Sequence, residues 1–231
     1  LKGDPCPFNP PCTYELFHNP QGFMHAGQEI PKPFILRCDH DRNQIRFTLR
    51  IFGQADGWRH GFHEGWIAAV RRGIDTRDKP IKLNVLNADL SKAQAIVLDK
   101  PTASKLTMTL QTPLILRSAR LDALRPGATP SQDLIEPLLR KTVWDRIEGL
   151  RHWQGDRAVS FDRSTLDTLD ICCSDLRVIR VTRGAGRIRY GLTGRAVLND
   201  PPTPVCWALQ IAQHSHIGGD SVIGAGRFSL H

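Results

Sequence analysis

The chain has 231 residues, 40% of them hydrophobic, which is enough for one large domain or two small ones with a packed core. Its 31 lysines and arginines outnumber its 23 acidic residues and give a net charge of +8. A polyanion is therefore the expected class of partner. No segment reaches the roughly 18 apolar residues of a membrane span, and no signal peptide opens the sequence, so we expect a soluble cytoplasmic protein with no membrane partner.

The six cysteines are too few for a disulfide-built scaffold, so reduced thiols are expected. Cys6 and Cys12, together with Cys38 or a histidine, could in principle hold zinc. Zinc sites usually contain two pairs of ligands in which the two cysteines are closer in sequence than Cys6 and Cys12, which argues against a zinc site here. No nucleotide-binding P-loop, serine-hydrolase or zinc-protease motif is present. The sequence therefore predicts neither a metal nor another cofactor.

The first half of the chain predicts four segments in order. Residues 1–33 are rich in Pro, Gly, Asn and Cys without a sustained period, which indicates a loop or insertion. Residues 34–38 and 46–53 alternate as strands with one buried face. Residues 58–72 have helical spacing and are followed by Gly73, a typical residue at a helix C-terminus. Residues 80–88 alternate again and predict a third strand.

The second half predicts a complete set of elements. Residues 106–117 predict a long strand. Pro113 interrupts it, which indicates either a bulge or a position at the edge of the sheet. A helix runs from Ser131 to about Trp153, with its core stripe formed by Ile135, Leu139, Val143, Ile147 and Leu150. Two strands, 176–182 and 187–198, meet at a glycine hairpin, and a helix at 204–213 and a strand at 227–230 follow.

Strand, helix, strand, strand, helix, strand is the ferredoxin-like order. We therefore predict an α+β protein of tandem ferredoxin-like, or RRM-like, modules. Residues 1–100 would be a partial first module with a Cys/Pro-rich insertion, apparently lacking its opening strand and helix. Residues 101–231 would be a complete second module with a glycine-rich loop.

The segment from Gly218 to Phe228 is the most informative one for function. Glycines let main-chain amides approach a phosphate closely, because no side chain stands between them, although they also serve tight turns. The predicted RNA-binding residues of this loop are Gly218, Gly219, Ser221, Gly224, Gly226 and Arg227.

His-Ile-Gly at 216–218, followed by Gly-Ala-Gly-Arg-Phe just before a final strand, resembles the signature loop of the RAMP superfamily. More narrowly, it resembles that of the CRISPR repeat-processing endoribonucleases. Supporting landmarks are Cys-Pro-Phe at 6–8, Pro-Lys-Pro-Phe at 31–34, Thr-Pro-Leu at 112–114 and Gly-Leu-Thr-Gly at 191–194. The sequence departs from the family pattern at Gly219-Asp220, where members often carry a basic residue.

The resemblance implies an endoribonuclease that binds the repeat hairpin of CRISPR precursor RNA and cleaves it without metal, leaving a 2′,3′-cyclic phosphate. The mature guide RNA could stay bound beside other Cas subunits of an effector complex. One alternative is a non-catalytic RAMP subunit that only binds guide RNA. Another is a general ferredoxin-like RNA-binding module, which the absence of exposed RNP-type aromatics on a central strand disfavours.

Two basic elements are further candidates for RNA contact. Arg140, Lys141, Trp144 and Arg151 lie on the helix after Ser131, away from its core stripe, unless they form an ordinary solvated face. Arg183, Arg187 and Arg189 crowd one predicted hairpin with no acid between them, and phosphate would relieve their repulsion.

Histidine is the expected general acid or base for metal-independent cleavage, because its pKa lies near neutrality. The resemblance places the catalytic histidine in the first module, which makes His18 and His25 the candidates among nine histidines. Each of them could equally be a plain surface histidine. His216 is expected to be structural and to brace the glycine loop.

Overall fold

The computed structural model describes residues 12–17, 30–73, 83–100, 104–116, 118–154, 162–183 and 187–231. Its helices are α1 (Thr13–Phe17), α2 (Arg59–Arg72), α3 (Ala119–Asp122), α4 (Gln132–His152) and α5 (Thr203–Ser215). Its strands are β1 (Phe34–Asp41), β2 (Gln44–Ile51), β3 (Lys105–Leu114), β4 (Ile171–Ser174), β5 (Arg177–Arg183), β6 (Arg187–Asn199) and β7 (Phe228–Leu230). None of the described helices is long and apolar enough to cross a membrane.

The second half of the chain forms an antiparallel sheet in the order β4-β6-β3-β7, with β5 also paired to β6. In chain order β3, α4, the β4/β5 pair, β6, α5 and β7 make the ferredoxin-like pattern, and the first strand lies centrally between the third and the last. The predicted α+β class with ferredoxin-like modules is confirmed.

The core of this module lies between the sheet and the helices α4 and α5. All five residues of the predicted stripe of α4 are buried, as are alternate residues of the central strands such as Met108, Leu192, Ala196 and Leu198. Ser131 is the N-cap residue of α4, as predicted, but its side chain makes no capping hydrogen bond.

The first half contains the hairpin β1–β2, a 3-10 turn at Gly53–Trp58 and α2. The two strands and the helix were predicted. The strand predicted at residues 80–88 is wrong for the described residues 83–88, which have no regular secondary structure. The alternation of apolar and polar residues led to a wrong prediction, because a strand also needs partners for its backbone hydrogen bonds. Leu86, one of the apolar residues of this pattern, is 78% exposed.

The prediction of a loop for residues 1–33 is wrong at α1. This single turn is too short to show a period, but Leu16 and Phe17 are buried. The ring of Phe17 lies 3.8 Å from that of Phe62 and 5.4 Å from that of Phe34, between centroids. Tertiary packing of these aromatic rings therefore stabilises a helix that local sequence does not predict.

The strand β4 was also missed by the sequence analysis, because its four residues are too few to show alternation.

Candidate nucleic-acid interface

The glycine loop, residues 216–227, is held by a bulge in β3. The ladder between β3 and β6 shifts register between Leu110 and Leu114, around the predicted interruption at Pro113. The residues of β3 that do not pair with β6 at this bulge form hydrogen bonds with the loop instead. Gly226 N donates to Pro113 O at 2.8 Å, Thr112 Oγ1 donates to Gly224 O at 2.8 Å, and Arg227 N donates to Thr112 Oγ1 at 2.9 Å. The Thr-Pro landmark and the glycine loop are thus one structural unit.

The glycines of this loop serve close packing against neighbouring backbone. A Cβ on Gly226 would lie 1.7 Å from Ile217 O, and one on Gly218 would lie 2.6 Å from Ile115 O. The amides of Gly219, Gly224 and Gly226 donate to carbonyl oxygens of the protein itself. The expectation that these three amides face a phosphate is therefore corrected, since each already has an acceptor at 2.8–3.1 Å.

Four arginines from both halves of the chain surround the loop and its buried His216. We call this set the arginine junction, and it consists of Arg37, Arg50, Arg146 and Arg227. Arg227 donates to Asp39 Oδ1 at 3.5 Å, and Arg37 pairs with the same carboxylate at 2.5 Å. Among the described residues, Asp39 is the carboxylate that pairs with this set, so the junction keeps a large positive excess.

Arg146 is the buried member of the arginine junction. Its Nε donates to Ser215 O at 3.0 Å, its Nη1 donates to Lys32 O at 3.5 Å, and its guanidinium lies 5.8 Å from the ring centre of Phe52. Burial lowers its pKa to about 10, so the group remains charged at neutral pH. It therefore ties α4 and the end of α5 to the segment before β1, and it adds positive potential beneath the loop.

His216 is the C-cap residue of α5, with φ of 56° and ψ of 158°, and is 4% exposed. Burial, followed by the positive charges of Arg146, Arg227, Arg50 and Arg37, lowers its pKa to about 4. The ring is consequently neutral at physiological pH and adds no charge to the cluster. Its burial supports the expected structural role.

This neutral histidine makes stability depend on pH. The pKa of about 4 in the folded protein lies below the value near 6.5 in the unfolded chain, so the unfolded chain takes up the proton as pH falls from about 7. Between pH 7 and pH 5 we expect the free energy of unfolding to fall by about 2 kcal/mol because of His216. Urea denaturation at both pH values measures it.

The control for this pH effect is a pair of variants. His216→Asn replaces the imidazole with a polar side chain that does not titrate, so the loss between pH 7 and pH 5 should shrink. His60→Asn changes an exposed histidine and should leave the loss unaltered. An unchanged loss in His216→Asn would mean that another group controls it.

Arg50 and His214 form a second contact between the hairpin β1–β2 and α5. Arg50 Nη1 donates to His214 O at 2.8 Å and lies 3.2 Å from His214 Nδ1. Burial and the charge of Arg50 lower the pKa of His214. The arginine junction therefore joins the first half of the chain to both ends of the α5–β7 connection.

The basic residues of α4 pair with neighbouring groups, while Lys141 and Arg151 remain exposed. Arg140 donates to Leu169 O at 2.5 Å and pairs with Glu136 at 3.4 Å, while Lys141 pairs with Asp145 and Arg151 with Glu148. Trp144 is partly buried against the core of the second module. These contacts are those of the alternative, an ordinary helix face whose charges pair with neighbours, and a role for the four residues in RNA binding stays a prediction.

The hairpin β5–β6 is the most basic element of the second module. Its two strands together carry six arginines and no acidic residue. Arg183 and Arg187 lie opposite each other in backbone register, and Arg189 follows two positions on and is exposed. The side chains of Arg183 and Arg187 and the tip at 184–186 lie outside the described residues.

The predicted catalytic residues His18 and His25 lie outside the described residues, as does Cys6. Cys12, Cys38, Cys172 and Cys206 are free thiols. In the part of the chain that the structure describes, no three His, Cys, Asp or Glu side chains converge as a metal site would require. The proposed roles of His18 and His25 stay predictions.

The arginine junction is the feature that sequence reasoning missed. Arg227 was singled out, but Arg37, Arg50 and Arg146 come from two strands and a helix far apart in sequence. The available signal was weak: Arg37 and Arg50 interrupt otherwise apolar strands, and Arg146 stands next to a core position of α4.

A ferredoxin-like sheet closed by a glycine loop, with arginines on both sides of that loop, is the architecture expected from the RAMP resemblance. The fold is that of the Cas6 CRISPR repeat-processing proteins. Similar solved structures include a product complex of the Thermus thermophilus Cas6 TTHB231, with 18% identity, a TM-score of 0.60 and coverage of 87% of this chain and 82% of that one. A product complex of the Cas6 TTHA0078 has 14% identity and a TM-score of 0.55, and covers 87% and 83%.

A partial Cas6-RT-Cas1–Cas2 complex is also similar, with 12% identity, a TM-score of 0.50 and coverage of 86% of this chain and 38% of that one. The family model AF_1859_N, described as an N-terminal domain, matches residues 2–110. No curated protein matches the sequence significantly. At these identities the solved structures establish the fold, and activity is a matter for proposal.

Proposed function

We propose that this protein binds the repeat hairpin of CRISPR precursor RNA and cleaves it, without a metal ion, into guide RNA. The observation that carries the proposal is the arginine junction, a cluster of four arginines with one paired carboxylate beside the glycine loop of a Cas6-like fold. A double-stranded RNA is recognised mainly through its shape and phosphates, which suits such a surface.

The proposed reaction is attack of a ribose 2′-OH on the adjacent phosphorus. A base takes the 2′-OH proton, the bond from phosphorus to the 5′ oxygen breaks, and an acid protonates that oxygen, leaving a 2′,3′-cyclic phosphate and a 5′-OH. His18 or His25 would move the protons. Arg37 and Arg227, partly exposed beside Asp39, would stabilise the negative charge that develops on the phosphate oxygens.

Substitution of a histidine has been carried out in one neighbour, the Cas6 TTHA0078, whose histidine-to-alanine mutant has a similar structure with 15% identity and a TM-score of 0.54. Two of the neighbours are product complexes, one is a substrate mimic complex, and two are Cas6-RT-Cas1–Cas2 complexes. We accordingly propose repeat RNA and other Cas subunits as partners, and the cytoplasm as the location.

The decisive experiment incubates the protein in EDTA with hairpin RNA transcribed from the CRISPR repeat encoded beside its gene. Cleavage at one position, with a cyclic phosphate identified by mass spectrometry, is the expected result. A shifted but uncut RNA would support the alternative, a subunit that only binds guide RNA. His18→Ala and His25→Ala identify the proton-transfer residue, with the exposed His60→Ala as the matched control.

RNA affinity should fall steeply with salt, because each neutralised phosphate releases counterions. Roughly five phosphate contacts give a slope of about −4.5 in a plot of log affinity against log salt concentration. Titration of the hairpin RNA at several salt concentrations measures this slope. A flat response would exclude phosphate contact as the main source of affinity.

Replacing Arg227 with alanine should weaken RNA binding by about tenfold and leave the melting temperature close to that of the parent, because its side chain lies at the protein surface beside Asp39. Arg195→Ala is the control: this arginine also pairs with one aspartate, Asp175, but lies on β6 away from the junction. Equal affinities of the two variants would contradict a phosphate contact at Arg227.

A further inference from the structure

A pocket of about 320 Å³ lies between the glycine loop, α3 and the middle of the hairpin β5–β6. Two of its lining residues, Ile115 and Gly219, form a backbone bridge in which Gly219 N donates to Ile115 O at 2.8 Å. The pocket is also lined by Leu116, Asp122, Arg189, Tyr190 and Asp220. Its size is that of a small-ligand site.

The lining combines apolar, aromatic and charged groups. Ile115 and Leu116 are buried, and Tyr190 is partly buried against the core, so these walls are firmly held. The charged groups are the guanidinium of Arg189 and the carboxylates of Asp122 and Asp220. Two carboxylates against one guanidinium would repel a phosphate. A flat, uncharged group that carries both N–H donors and acceptors fits this pocket better.

A nucleobase is such a group, and the position of the pocket connects it to RNA. Arg189 belongs to the arginine-rich hairpin, and Gly219 and Asp220 belong to the glycine loop. An RNA strand whose phosphates lie along the hairpin would carry its bases past the opening. Bases that leave the stack in single-stranded RNA are recognised by aromatic rings and by polar groups at their edges.

Guanine matches these polar groups better than the other bases. It presents two adjacent N–H donors, from N1 and the 2-amino group, which one carboxylate such as that of Asp122 accepts together. Its O6 and N7 are acceptors for an arginine, here Arg189. Uracil presents one donor between two carbonyl oxygens, and adenine and cytosine each present a single amino group beside acceptors.

We propose that this pocket binds one unstacked guanine of the RNA, with Asp122 and Arg189 reading its edges and Tyr190 contacting its ring. The proposal rests on the proposed RNA function and names a base-specific subsite within it.

Calorimetric titration of the intact protein with the 5′-monophosphates of guanosine, inosine, adenosine, cytidine and uridine tests this proposal. The guanosine nucleotide should bind at least about fivefold more tightly than each of the others. Inosine lacks only the 2-amino group, so its weaker binding isolates that contact. If no nucleotide binds at the highest soluble concentration, or all five bind alike, the proposal is overturned.

Asp122→Asn should lower the affinity for the guanosine nucleotide at least about fivefold and abolish the difference between guanosine and inosine, because the amide offers one acceptor oxygen. The matched control is Asp133→Asn, an exposed acid in the first turn of α4 outside the pocket, which should bind like the parent. A preference for guanosine that persists in Asp122→Asn would overturn the assignment.

These measurements separate the pocket from the proposed function. If hairpin RNA is cut but mononucleotides bind without preference, the pocket proposal fails and the nuclease stands. If the guanosine nucleotide binds selectively but the repeat RNA is neither bound nor cut, the pocket stands and the proposed function fails.

Discussion

Replacement of Gly226 with alanine should destabilise the protein by more than about 4 kcal/mol and abolish RNA binding with it. The added Cβ would lie 1.7 Å from Ile217 O, which is backbone and cannot rotate away, and the residue has φ of 69°. Relief of the contact requires the loop to separate from Ile217, which breaks the hydrogen bonds of Gly226 with Pro113 and Ile217. Urea denaturation followed by tryptophan fluorescence measures the loss.

The control for Gly226 is Gly127→Ala. Gly127 also has a positive φ, of 87°, but a Cβ there would meet no atom within 4 Å. We therefore expect a loss of only about 1 kcal/mol, from backbone strain alone. The difference between the two variants isolates the close approach. Equal losses would show that the loop adjusts to a side chain at position 226.

Combined replacement of Arg183, Arg187 and Arg189 with alanine should weaken binding of the hairpin RNA by about 100-fold, if Arg183 and Arg187 each lose a phosphate contact and Arg189 loses its contact with a base, at about 1 kcal/mol each. The salt slope should also decrease by about two units, one for each lost phosphate contact. The melting temperature should stay close to that of the parent, because substitutions at exposed positions change stability by less than about half a kcal/mol each.

The matched control is a triple alanine variant of Arg71, Arg72 and Arg125, three exposed arginines outside both the arginine junction and the hairpin β5–β6. It removes the same net charge. If both variants lose the same affinity, general electrostatic attraction explains binding and the hairpin has no special role. If the hairpin variant binds RNA like the parent, the hairpin is a solubilising turn.

The arrangement of the arginine junction gives its charges two different roles. Arg146 is buried and bonded to backbone carbonyls, so it contributes to the association of α4 with the segment before β1 as well as to the local potential. Arg37 and Arg227 share Asp39 at the surface and remain accessible to a phosphate. Burial and charge together keep His216 neutral, which limits the repulsion within the cluster.

Apart from β4, the sequence by itself determined the strands and the two long helices of the second module. Local patterns were sufficient here. The apolar stripe of α4 and the alternation in β3 and β6 indicate which face of each element is buried, and Pro113 marks the interruption of β3. The order of those elements then restricts the topology to a ferredoxin-like sheet. The glycine loop was also evident from sequence, because clustered glycines before a closing strand form a local pattern.

Only the tertiary structure decided what surrounds the loop. The amides of Gly219, Gly224 and Gly226 were expected to face RNA, but they donate to the carbonyl oxygens of Ile115, Ser221 and Pro113 of the protein itself. Arg37, Arg50 and Arg146 lie 70 or more residues before the loop in sequence, and no local pattern encodes such a meeting. The hydrogen-bond partners of Arg140 and the lack of regular secondary structure at residues 83–88 likewise depend on neighbours in space. Periodicity in the sequence indicates which residues are buried, whereas the identity of the groups that contact each other depends on long-range packing.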